Sequence, residues 1–267
     1  MVGVAGSMMT AYHRLGWQIF RQDAQILAWS KAAAVLAEQA LNDPQQRADW
    51  LVCEGTWFVG VDALPNGADG AISGVPLQGQ VMDVLRDMHL PVTDLHRAQV
   101  SVVWPGYPRP REGESNGAFR YRQKRDSAHV DGIRPIGPAR RRMLREPHAY
   151  ILGLPLNDAA AEASPLVVWE RSHDVIRAAL AQAYDGIDPA HWGTTDITDI
   201  YQAARAQVFE TCRRVTVHTQ PGQAVLVHRL ALHGVAPWAA KGVAPQGRRI
   251  AYFRPELPNW SDWIAAP

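Results

Sequence analysis

The stretch Ser127-Ala128-His129-Val130-Asp131-Gly132 sets an imidazole and a carboxylate one residue apart. On an extended strand, residues i and i+2 project to one face, so His129 and Asp131 offer a nitrogen and an oxygen to a single point. That point suits a metal ion. A second imidazole from a neighbouring strand completes a 2-His-1-carboxylate facial triad, a ligand set that leaves adjacent positions open and fits non-haem Fe(II) oxygen chemistry. His233 is the candidate. His228 competes with it, but the two are five residues apart, and an odd offset on a strand points to opposite faces. The competing reading of His-x-Asp is a surface turn, with Asp131 and Gly132 supplying the bend.

The elements that must position these residues are legible as strands. Residues 216–234 read as strand, a Pro221-Gly222 turn, a second strand, then His233-Gly234 at a strand end, and residues 248–254 form an arginine-led strand. Arg248 and Arg249 are adjacent, so only one can face inward. Residues 99–104 form a strand into Pro105-Gly106, where Gln99 and Ser101 alternate with valines; if the valines pack against helices, Gln99 and Ser101 face the interior. Residues 148–156 and 165–169 supply further apolar strands. Residues 17–41 show three- and four-residue periodicity and read as one or two helices stopped by Asn42-Asp43-Pro44. Residues 49–62 are strand-like and 80–88 a short helix. Ser172-His173-Asp174 is expected to cap a helix to about Tyr184. Residues 109–125 read as an exposed loop that orders over a substrate, and residues 185–207 as an insertion carrying Trp192 and leading into a helix over 199–208. The arginines 134, 140, 141, 142 and 145 form either a solvated face or an anion-binding lip.

At 267 residues, 47% hydrophobic and 20% charged, the chain is expected to form a single globular domain over 1–267. A formal net charge of +1 excludes bulk attraction to nucleic acid or membrane. Of 27 basic residues only Lys31, Lys124 and Lys241 are lysines, and arginine suits bidentate carboxylate or phosphate binding. Two cysteines in unrelated contexts, with no signal-peptide pattern and no long apolar run, imply a reducing cytoplasm.

The order His-x-Asp, strand-His-Gly, then arginine on a closing strand resembles the phytanoyl-CoA dioxygenase-like branch of the Fe(II)/2-oxoglutarate-dependent oxygenases, over roughly residues 95–256. Pro165 to His173 is similar to that family's strand and Gly-Ser-His loop, with Arg171 in place of the glycine. The resemblance implies a mainly β fold with flanking helices, a cupin-like double-stranded β-helix or jelly roll at about 95–256, buttressed by N-terminal helices at about 17–48. It implies Fe(II) on His129, Asp131 and His233, since the family's histidine directly precedes Gly or Ser. It implies 2-oxoglutarate held by Arg248 or Arg249: the family's pattern of arginine and a small residue two places on fits Arg249 with Ala251, while the register of the strand after its glycine turn fits Arg248, which is preferred; Gln99 and Ser101, if they face the interior, are placed to meet this cosubstrate. Dioxygen and a small, anionic molecule are the expected partners, and hydroxylation with release of succinate and CO2 the expected reaction. The retained Asp131 argues against halogenation. The alternative is a cupin-like metal-binding isomerase or non-catalytic module that does not use 2-oxoglutarate.

Overall fold

The computed structural model describes residues 11–242 and 244–265. Two antiparallel sheets face one another. The larger has seven strands: β1 (Trp17–Phe20), β10 (Ala224–His228), β7 (Tyr150–Pro155), β12 (Arg248–Phe253), β4 (Gln99–Val103), β3 (Trp57–Phe58) and β2 (Leu51–Val52), in that order across the sheet. The smaller runs β11 (His233–Val235), β8 (Leu166–Trp169), β9 (Arg214–Val217), and His129 pairs with His233 on its free edge. From β4 onward the chain passes repeatedly between the two sheets, through residue 129, β7, β8, β9, β10, β11 and β12. This is the double-stranded β-helix expected from the sequence. A separate hairpin, β5 (Ile133–Ile136) with β6 (Arg141–Leu144), follows the His-x-Asp segment.

Alternation along the strands creates two cores. One face of the large sheet, including Ile151, Val225 and Val227, packs onto Leu166, Val168 and Val217 of the small sheet. The opposite face, including Val100, Val102, Leu152, Leu226 and Phe253, packs under α1 (Ala24–Asn42) through Trp29, Ala33 and Ala37. The Asp23 carboxylate begins α1 by accepting the Gln25 and Ile26 N–H groups. Asp43 ends α1 and caps α2 (Pro44–Trp50), with Pro44 in its first turn, as the Asn-Asp-Pro signal predicts. The short helix expected over 80–88 is α3 (Gln80–Asp87).

Three expectations need correction. Residues 17–20 are an edge strand rather than helix: Trp17 and Ile19 join the inter-sheet core while Phe20 packs on the helical side, a period of two that the Ala-rich helix downstream obscures. Residues 109–125 are not all loop, because Ser115 caps a helix α4 (Asn116–Lys124) by accepting the Ala118 N–H. Ser172 does not cap α5 (Ser172–Ala183); Arg171 occupies the cap position in a left-handed conformation, and Ser172 Oγ instead accepts the Leu232 N–H at 2.8 Å. The 185–207 insertion holds a short 3₁₀ turn (Pro189–Thr194) and the start of α6 (Thr198–Thr211). No helix of the described residues is long and apolar enough to cross a membrane.

Candidate metal centre

His129 and His233 sit directly opposite one another on adjacent strands, each N–H donating to the other's carbonyl at 2.9 and 3.0 Å. Their rings therefore project side by side, with centroids 4.6 Å apart. Two residues on from His129, Asp131 turns its carboxylate into the gap: His129 Nε2 lies 3.0 Å from Oδ1 and His233 Nε2 3.7 Å from Oδ2. One ligand atom from each residue falls within 4.8 Å of the others. A glycine follows each of the last two candidate ligands, Asp131 and His233, for a steric reason. A Cβ on Gly234 would lie 2.1 Å from the Asp126 carbonyl oxygen, and one on Gly132 would lie 1.9 Å from that of Glu146.

The hydrogen bonds behind the rings fix their chemistry. Nδ1 of His129 lies 2.9 Å from the Ser127 carbonyl, and Nδ1 of His233 lies 2.9 Å from that of Ala231. A carbonyl only accepts, so both rings carry their proton on Nδ1, and a neutral ring then presents the bare Nε2 lone pair. Two such lone pairs and a carboxylate converge on one point. That arrangement needs a cation between them, either a ring proton or a metal ion, and the donor set fits a divalent transition metal. Asp131 is ready for the role. Burial alone pushes its carboxyl up, but the Arg254 guanidinium and, where a ring proton sits on Nε2 in place of a metal, His233 and His129 outweigh burial and hold it well below the usual carboxylate range. His129 keeps a side chain 48% exposed, so the centre opens outward on that side.

His228 is placed elsewhere. It is fully buried, with Nε2 3.0 Å from Arg177 Nη2 and Nδ1 accepting the Leu230 N–H at 3.0 Å, so it contributes nothing to the triad. Gln99 and Ser101 stand opposite Tyr252 and Ile250 on β12, on the face away from Val100 and Val102, and so face the inter-sheet interior. Ser101 Oγ accepts from Trp57 Nε1 at 3.1 Å; Gln99 donates to the Val59 carbonyl at 2.7 Å and keeps a buried oxygen without a partner among the described residues. Arg248 and Arg249 point to opposite faces. Arg248 is buried on the interior side, its Nε donating to the Ser164 carbonyl at 2.8 Å, whereas Arg249 reaches the helical side and pairs with Glu38 of α1. Arg248 opens β12, whereas Arg254, just past the strand's end, reaches Asp131.

Sequence reasoning missed Arg254 as a site residue, treating it only as the close of its strand. Its Nη1 lies 3.2 Å from Asp131 Oδ2. Two histidines clamp its backbone: the Arg254 N–H donates to His96 Nε2 at 2.8 Å, and His148 Nδ1 lies 2.9 Å from the Arg254 carbonyl. Tyr201 was missed too; its hydroxyl accepts the N–H of Val130, the residue between two ligands, at 2.9 Å. Neither contact has a local signal, since the partners lie 123 and 71 residues apart.

No protein-family model matches the sequence, and no curated protein matches it. Solved structures do. AviO1 from Streptomyces viridochromogenes Tue57 is 16% identical, with 98% of this chain and 96% of that chain covered and a TM-score of 0.52. The epimerase SnoN, in complex with Fe3+, alpha ketoglutarate and nogalamycin RO, is 12% identical over 94% of this chain and 82% of that chain, with a TM-score of 0.50. At such identities the likeness is one of fold.

Proposed function

We propose that the protein is an Fe(II)- and 2-oxoglutarate-dependent oxygenase of the phytanoyl-CoA dioxygenase-like kind that hydroxylates a small molecule. The observation that carries this reading is the convergence of three acceptors, His129 Nε2, Asp131 and His233 Nε2, with both rings' Nδ1 atoms committed to carbonyls. Iron and 2-oxoglutarate, when bound, supply the oxidative chemistry, in which dioxygen is consumed, succinate and CO2 leave and a substrate C–H bond gains an oxygen atom. The chain's own part is to hold and orient. His129, Asp131 and His233 would hold the metal and leave positions for cosubstrate and dioxygen. Arg248, the inward member of its pair, offers the two parallel N–H donors that match the distal carboxylate of 2-oxoglutarate. Gln99 and Ser101 add polar contacts on the same interior wall. SnoN, whose complex contains iron and alpha ketoglutarate on a similar fold, supports this cofactor pair.

Iron analysis of protein purified without air tests the reading. One Fe(II) per chain is expected, lost in His129→Ala, Asp131→Ala and His233→Ala while the variants remain folded by circular dichroism. His228→Ala should melt earlier, because it empties a fully buried site and leaves the Leu230 N–H without its acceptor, yet bind iron normally. In the iron-loaded protein, 2-oxoglutarate binding by calorimetry should weaken by a few kcal/mol in Arg248→Ala and stay nearly unchanged in Arg249→Ala. Full iron occupancy in all three ligand variants would refute the metal site. Parental 2-oxoglutarate affinity in both arginine variants would refute the cosubstrate assignment.

A further inference from the structure

Arginines without counter-charges gather where the hairpin that follows the His-x-Asp segment meets α6. Arg142 shares the face of β6 with Leu144, and its backbone is tied to the start of α6, its N–H donating to Thr198 Oγ1 at 2.7 Å and its carbonyl accepting from Ile197 at 3.0 Å. One turn into α6 stands Tyr201, which caps the Val130 N–H. A turn further, the Arg205 guanidinium lies over the rings of Tyr121 and Tyr201, 4.7 and 5.3 Å from their centroids.

Both arginines are half-buried, and Arg205 Nε is buried with no hydrogen-bond partner among the described residues. Nor does any described carboxylate lie within ion-pair distance of either one. Asp196, at the head of α6, is engaged by Thr198 and Arg141, and Asp131 by Arg254 and the two histidines. Burial, and after it the like charges of Arg205 and Arg140, disfavour the Arg142 cation more than the nearby tyrosines favour it. Partly desolvated cations held together cost free energy until an anion joins them, and a guanidinium pair matches the oxygens of a phosphate or carboxylate.

We infer that Arg142 and Arg205 form a binding site for an oxyanion, a phosphate or carboxylate group, beside the metal centre. Tyr121 and Tyr201 floor the site, and Tyr201 ties it to the peptide between His129 and Asp131. An anion held there is a handle on the molecule presented to the triad; that role rests on the oxygenase reading, whereas the site itself does not.

Calorimetry of the full chain with inorganic phosphate, and separately with acetate, at constant ionic strength tests the site. Saturable binding of at least one anion is expected, weakened tenfold or more in Arg142→Gln and in Arg205→Lys, which keeps the charge but loses the planar fork. Binding should be unchanged in His129→Ala. A phosphate response assigns a phosphate-bearing ligand and an acetate response a carboxylate-bearing one. Circular dichroism establishes that the variants are folded. Absence of saturable binding of either anion, or wild-type binding in folded Arg142→Gln, overturns the proposal. Iron content of Arg142→Gln, expected at the wild-type level, keeps this outcome separate from that of the metal centre.

Discussion

Asp131 is the residue on which the charges of the centre balance. It is buried, and its two oxygens face His129 on one side and His233 with Arg254 on the other. The guanidinium does two things: it keeps the carboxylate ionised against the cost of burial, and it fixes the direction in which the free oxygen points. Arg254 can do this because its own backbone is held on both sides of its Cα, the N–H by His96 and the carbonyl by His148. Groups that orient a metal ligand are worth about 10–100-fold in metal affinity. Arg254→Gln is therefore expected to lower Fe(II) affinity within that range, read by competition with a chromophoric chelator, while the fold persists. An unchanged affinity would reduce Arg254 to a packing role.

At the scale of elements, the junction of β8 and α5 shows how the chain departs from the pattern it resembles. Arg171 has φ 65° and ψ 6°, the left-handed region in which the glycine of the resembled pattern is at ease and a residue with a Cβ is strained. The kink serves the neighbouring strand, for it brings Ser172 Oγ to the Leu232 N–H immediately before His233. The ion pair of Arg171 with Asp174, 3.4 Å between exposed groups, returns little. Arg171→Gly should accordingly raise stability by about 0.5–1 kcal/mol, the relief of strain exceeding the added chain entropy, as measured by urea denaturation. A loss of stability would mean that the arginine stem contributes more packing than its exposure suggests.

At the scale of the whole molecule, the large sheet is sandwiched, with the small sheet and its triad on one face and α1 on the other. Trp29 is the largest side chain of the helical layer, fully buried, its Nε1–H donating to the Gly70 carbonyl at 2.8 Å and its ring tilted against Phe253 of β12. Trp29→Ala is expected to cost about 3–5 kcal/mol in denaturant unfolding, yet the folded fraction should bind iron with parental stoichiometry, because the triad hangs on the opposite sheet. Loss of iron from folded Trp29→Ala would show that the helical layer sets the geometry of the centre. Individual strands were readable in advance because strand alternation is local: the valines of β4, the Pro-Gly turn before β10 and the His-x-Asp spacing each needed only their neighbours, whereas the jelly roll they build was implied by the family resemblance. The opposite facing of Arg248 and Arg249 followed from the same period of two. The hydrogen-bonded pairing of His129 with His233, the contact of Arg254 with Asp131 and the seating of Tyr201 on Val130 join residues far apart in the chain, and only the packed sheets determine them. The helix read through residues 17–20 failed for the same reason. Four residues carry too little periodicity to outweigh the helix beyond them, and it is pairing with β10, set by tertiary contact, that makes them a strand.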